Sequence, residues 1–144
     1  FVHYLETVPV VTFGEGCRAV LIAADGADRF DSFAARYAEL ERRGWVRDAW
    51  GLEADDLLDL GTMCFMAAEA CDLPPSASST VLGSWGLSDR RYAVRKAVAA
   101  KLVAFGPYYK PMTGGATVWM MGRTDDFLNH RGVYAKPEPA AGEN

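Results

Sequence analysis

Apolar residues recur at helical spacing through most of the chain, and the turn residues between the runs divide it into short helices. Cys17, Val20, Leu21 and Ala24 form one stripe of a 3.6-residue period. Thr12 stands ahead of that stripe with Glu15 three positions on, a reciprocal pairing that satisfies helix-start N–H groups, and Asp25-Gly26 ends the run. A second helix starts at Asp31 or Ser32 and carries Phe33, Tyr37 and Leu40 on one face, with Arg36, Glu39, Arg42 and Arg43 on the others. Gly44 is its C-cap, and Trp45-Val46 fold back onto it. Leu60 to Cys71 is apolar almost all round, the pattern of a central core helix, and stops before Pro74-Pro75. Ser88 or Asp89 caps a helix from Arg90 to Ala104 that Gly106-Pro107 closes. Ala116 to Leu128 reads as one helix interrupted near Gly122 or as a short helix followed by a turn.

Between these runs the pattern changes. His3 to Thr12 holds Tyr4, Leu5, Val8, Val10 and Val11 but is broken by Pro9, which predicts an extended arm. Arg47 to Asp59 is a loop with apolar anchors at Trp50, Leu52, Leu57 and Leu58, Pro74 to Ser79 is a surface connection, and Lys136 to Asn144 is a polar tail. The fold class that follows is all-α, a mostly helical, compact bundle of short helices with an extended N-terminal arm. We expect a single domain over residues 1–135 and the tail over 136–144. Tyr108-Tyr109-Lys110-Pro111 echoes the earlier aromatic loop, and Gly114-Gly115 precedes its apolar segment as Gly61 precedes Thr62 to Ala67. That parallel suggests two diverged helix-loop-helix units, 31–73 and 88–128, packed through Leu40, Trp45, Leu60, Phe65, Met66, Val98, Leu102, Trp119 and Met120.

Composition narrows the function classes. Fifteen Lys plus Arg against nineteen Asp plus Glu leave a formal charge of −4, which gives no long-range attraction to nucleic acid or to an anionic bilayer. No apolar run reaches the roughly 18–20 residues that span a bilayer as a helix. The chain begins at Phe1 rather than Met, so we expect a preceding segment whose kind composition does not classify.

Candidate chemistry is sparse. Cys17, Cys64 and Cys71 contain no close CxxC pair, so they read as buried thiols, with reaction or disulfide linkage through Cys17 as the alternatives. The spacings of Asp25, Asp28 and Asp31 and of Asp55, Asp56 and Asp59 lack the alternating ligands and terminal Glu of a calcium loop. They read as caps and turns. His3 and His130 have no Cys pair or close acidic partner, so no metal site and no cofactor is expected. Gly14-Glu15-Gly16 lacks the later Gly-Lys-Ser/Thr of a phosphate loop, and Ser84 is not in a Gly-x-Ser-x-Gly turn. An enzyme would be a small hydrolase or transferase with Cys17, assisted by His3 or by His130 with Asp125, or with a carboxylate such as Asp25. No catalytic residue is assigned.

The positive signal is basic and aromatic. Arg90, Arg91, Arg95, Lys96 and Lys101 line the helix after residue 88, and Arg91 and Arg95 are one turn apart on one face. Such forks read carboxylates or phosphates, and Trp85, Tyr108 and Tyr109 can stack beside them. Duplex nucleic acid would require a broader basic surface. Trp85, Arg91, Arg95, Tyr108 and Tyr109 are therefore the expected interaction residues, with an acidic protein or an anionic glycan as partner.

Phe33 through Ala70, with a helix ending at Gly44-Trp45-Val46, an acidic aromatic loop and a helix beginning at Leu60-Gly61-Thr62, resembles a diverged S-layer-homology unit. Arg91 to Met121 resembles a weaker second copy. Together they cover about half the chain. The Thr-Arg-Ala-Glu start of the family's second helix is replaced by Leu60-Gly61-Thr62-Met63-Cys64, so no binding residue is carried over. The resemblance implies a helical element of a bacterial envelope protein, non-catalytic, that attaches to a cell-wall polymer or has a structural role at the surface. On that basis we expect a structural or interaction protein of a cell-envelope or periplasmic assembly, oligomeric or part of a larger one, with cytoplasmic and viral settings as alternatives.

Overall fold

The chain meets itself at three short extended segments, each leading into a helix. The structure, a computed structural model, describes residues 1–73 and 89–130. Six α-helices are described: α1 (Val2–Thr7), α2 (Phe13–Asp25), α3 (Phe33–Arg43), α4 (Leu60–Ala70), α5 (Asp89–Ala99) and α6 (Gly114–His130), with one 3-10 turn at Asp48–Trp50. They form a mostly helical bundle, and among the described residues extended pairing is limited to isolated bridges at Thr12–Leu57 and Asp59–Pro111.

Backbone satisfaction explains how the segments join. Val11, Leu58 and Met112 are all buried, so their main-chain N–H and C=O groups need partners inside the protein. They supply one another: Val11 N–H donates to the Met112 carbonyl at 3.0 Å, Met112 to Leu58 at 2.8 Å and Leu58 to Val11 at 2.8 Å. Each ring member is followed by a helix cap. Thr12 Oγ1 accepts from Glu15 N–H, Asp59 Oδ1 from Thr62 N–H and Thr113 Oγ1 from Ala116 N–H. The next orphan N–H groups are met by carbonyls of the segment approaching a neighbouring helix. Phe13 and Gly14 donate to Asp56 and Ala54, Leu60 and Gly61 to Lys110 and Tyr108, and Gly114 to Val8.

The helices fill in around this ring. α4 is buried from Leu60 to Ala68 and packs chiefly on α5, whereas α2 lies against α6, α3 and α4. α3 buries only Leu40 and is held to α2 by the edge-on contacts of Phe13 with Phe33 and Tyr37 and by ion pairs. Arg43 forks onto Asp25 at 2.9 and 2.8 Å, and Arg36 forks onto Asp28 at 3.1 and 2.7 Å. Gly26 and Gly44 both end their helices with positive φ, and Trp45 N–H reaches back to the Leu40 carbonyl.

Four sequence expectations change. The N-terminal arm is extended only after Thr7, because Leu5 is fully buried and docks α1 on α6, a tertiary contact that makes a six-residue helix stable. α5 ends at Ala99 instead of Ala104. Lys101 takes φ +63° and Leu102 N–H returns to the Ala97 carbonyl, so a buried Leu102 closes the helix and the following residues turn outward. α6 runs unbroken through Gly122. Trp119, expected in the core, is 62% exposed, since Thr117, Met120, Met121 and Thr124 form the inward face. The Pro74 to Ser79 connection and the tail lie outside the described residues.

These glycines separate steric from conformational roles. A Cβ on Gly114 would lie inside the van der Waals shell of the Leu5 carbonyl, so Gly114→Ala must push α1 off α6 and should cost about 1–3 kcal/mol or more. Gly44→Ala meets no neighbour within 4 Å and should cost only the left-handed conformation, about 1 kcal/mol. Gly122→Ala, in open space inside a helix, should gain up to about 1 kcal/mol. Urea denaturation of the three variants checks this order.

Candidate functional site

Two features shape one concave face: the outward side of α5 and the loop that returns to α6. Arg91 and Arg95 are exposed on α5, with buried Val94 between them. Arg90 belongs elsewhere, its guanidinium lying 3.4 Å from Thr62 Oγ1 and 3.7 Å from Asp59 at the start of α4. The return loop is fixed from below, because Gly61 N–H donates to the Tyr108 carbonyl at 2.7 Å and Leu60 N–H to Lys110 at 2.8 Å. A side chain at Gly61 would meet the Cβ atoms of Arg90 and Tyr108, both at 2.9 Å, so glycine is what lets the loop sit this close.

A groove of about 310 Å³ results, lined by Arg91, Val94 and Arg95 on one side and by Phe105 to Tyr109 on the other. Tyr108 and Tyr109 meet edge to face at 5.5 Å, and Tyr109 remains 68% exposed. The Arg95 guanidinium lies 5.7 Å from the Tyr92 ring. Of the residues singled out from sequence, Arg91, Arg95, Tyr108 and Tyr109 come together here, and Trp85 lies outside the described residues. Sequence reasoning missed Phe105, 76% exposed at the tip of the loop. The available signal was a large apolar residue directly before Gly106-Pro107, which cannot continue the preceding helix.

A larger depression of about 390 Å³ lies between α1, the start of α2 and α3, lined in part by Glu15, Arg18 and Arg36. Its arginines already have a carboxylate partner. Asp28 takes the Arg36 fork and also has Arg18 Nε at 2.8 Å, at an angle that makes an ion-pair contact without a hydrogen bond. Hydrogen bonding from Arg36 holds the Asp28 carboxyl below its ordinary pKa. Burial works against the Glu15 carboxylate, yet hydrogen bonds from Thr12 and Tyr4 bring it below the ordinary value. This depression is a stabilised junction, whereas Arg91 and Arg95 face solvent.

Cys17 and Asp25, the candidate reactive groups, are both engaged in the packing of the bundle. Cys17, Cys64 and Cys71 are buried and no disulfide joins them. Burial pushes the Cys17 and Cys64 thiols up to about 12, away from the thiolate a nucleophile needs. His3 sits in solvent 3.5 Å from Glu6, and His130 Nδ1 lies 2.8 Å from the Asp126 carbonyl oxygen at the end of α6. Asp25 has both oxygens on the Arg43 guanidinium. Among the described residues no group of His, Cys, Asp and Glu could hold a metal ion, and no helix is long and apolar enough to cross a membrane.

Thiol-reactive reagent should leave Cys17 and Cys64 unmodified in the native protein and label them after denaturation, as read by intact mass. The Asp28 junction predicts an acid limb. Its folded pKa is depressed, so its stabilisation is complete above the unfolded value of about 4 and is lost as pH falls below it. Asp28→Asn should lower stability at neutral pH by about 2–4 kcal/mol and flatten the acid limb in denaturation series. No family model, curated protein or solved structure matches this chain, so the meaning of the groove rests on its own residues.

Proposed function

We propose that the chain is a non-catalytic structural or interaction protein that takes an acidic protein or an anionic glycan in the groove between Arg91, Arg95, Tyr108 and Tyr109. The observation that carries this reading is an exposed aromatic loop set beside two outward arginines one helical turn apart. Planar guanidinium forks bind carboxylates, sulfates and phosphates through paired hydrogen bonds, and tyrosine faces add apolar contact at low entropic cost. Among the described residues no acidic side chain lines the groove, which leaves the cations available to a ligand although the whole molecule is acidic.

A place in a bacterial cell-envelope or surface assembly is part of the same proposal and is supported by the S-layer-homology resemblance of the α3–α4 region. The main-chain anchoring of the loop to Leu60 and Gly61 supports a preformed binding surface, since little ordering is left to occur on binding.

Arg91→Gln combined with Arg95→Gln should leave circular dichroism and thermal stability nearly unchanged, because both side chains are exposed. The same pair should weaken partner binding and lower its salt dependence in titrations across ionic strength. A large loss of stability with unchanged binding would overturn the proposal.

A further inference from the structure

The return loop has a second side. Between it and α6 lies another groove, of about 230 Å³, floored by Leu60 and Met112 and walled by Val103, Ala116 and Trp119. It shares Phe105 and Gly106 with the arginine groove, so Phe105 is a ridge between a trough that holds Arg91 and Arg95 and a mainly apolar one that holds Lys110. Phe105, Tyr109 and Trp119 are 76%, 68% and 62% exposed, an unusual concentration of open aromatic surface for one loop and its neighbouring helix. Arg123 stands 5.9 Å from the Trp119 ring and donates to the Lys101 carbonyl, which adds positive charge at the far end. Among the described residues no carboxylate lines either trough.

We propose that both grooves form one docking surface for an acidic protein segment, its carboxylates on Arg91 and Arg95 and an aromatic or branched aliphatic side chain seated against Trp119 across the Phe105 ridge. The inference rests on the reading of the arginine groove as an interaction surface and chooses between its two partner classes. Charge favours an anionic occupant. The second trough favours a side chain over a sugar, because Lys110 and Thr113 are its only polar side chains among the described residues and most of its lining, Leu60, Met112, Ala116 and Trp119 included, offers a sugar hydroxyl no partner. An apolar side chain loses nothing there and gains from burial. The surface thus combines a hydrophobic anchor site with a cationic rim, an arrangement common at protein interfaces.

The test uses short fluorescein-labelled peptides in which a Glu-Glu pair is followed by a Gly-Ser spacer and a final Trp, Leu or Ala, with oligogalacturonate as the anionic glycan. Fluorescence anisotropy should show the Trp and Leu peptides binding about tenfold or more tighter than the Ala peptide, the worth of one buried anchor. Trp119→Ala should erase that preference and leave binding of the Ala peptide unchanged, and the paired Arg91→Gln and Arg95→Gln variant should weaken all three. Circular dichroism confirms that each variant is folded. Equal affinity for the three peptides, a preference that survives Trp119→Ala, or a Trp119-dependent dimer occupying the groove would overturn the inference. In that case Arg91- and Arg95-dependent binding of oligogalacturonate would leave the proposed function standing. Absence of arginine dependence for every ligand would remove both.

Discussion

The closed ring of hydrogen bonds through Val11, Leu58 and Met112 is the constraint on which the rest of the structure depends. A sheet satisfies buried main-chain groups by lengthening strands, and a helix does so along itself. Here single residues from three distant parts of the chain complete the pairing for one another, and the helices radiate from that point. Removing any one segment would leave a buried donor and a buried acceptor unpaired on the other two, each at a desolvation cost of about 1–3 kcal/mol. The ring therefore fixes the relative positions of α2, α4 and α6 more firmly than their side-chain packing alone would.

The same constraint prepares the candidate site. Because the start of α4 uses the carbonyls of Tyr108 and Lys110 as its missing partners, the loop that carries Tyr108, Tyr109 and Phe105 is part of the core's own hydrogen bonding. Its main chain is committed inward while its side chains face outward. An exposed aromatic loop is thereby obtained without a floppy one, which is the condition for affinity from a small contact area.

Local chemistry was readable from sequence, and tertiary chemistry was not. The Thr12–Glu15 start, the Ser32 cap, the left-handed ends at Gly26 and Gly44 and the all-round apolar α4 depend on neighbours within a turn, and the structure has them where the pattern put them. α1 was hidden because six residues are too few for a period, and its helix follows from Leu5 docking on α6. The end of α5 was hidden because residues 100–104 are good helix formers, overridden by the burial of Leu102. Amphipathic spacing puts Trp119 in the core, but Thr117, Met120, Met121 and Thr124 claim the inward face of α6. The glycine-started segments at Gly61 and Gly114 have a third counterpart at Gly14. Val11-Thr12-Phe13-Gly14 shares with Leu58-Asp59-Leu60-Gly61 and Met112-Thr113-Gly114-Gly115 an apolar residue, a cap and a glycine two positions later. The Arg91–Arg95 spacing and the Tyr108-Tyr109 pair were legible, but Phe105 became visible only once the helix before it was seen to stop.

A cationic face on an acidic chain has a consequence for the distance at which the proposed recognition would operate. Fields are screened over about 8 Å at physiological ionic strength, so an approaching anion senses Arg91 and Arg95 only when almost in contact. Farther out, whatever field survives screening is that of a body with a formal charge of −4 and is weakly repulsive. Such a surface is poorly suited to collecting an acidic partner from dilute solution by electrostatic steering. It suits one already held nearby, within a shared assembly or on a common tether, where local concentration replaces long-range attraction.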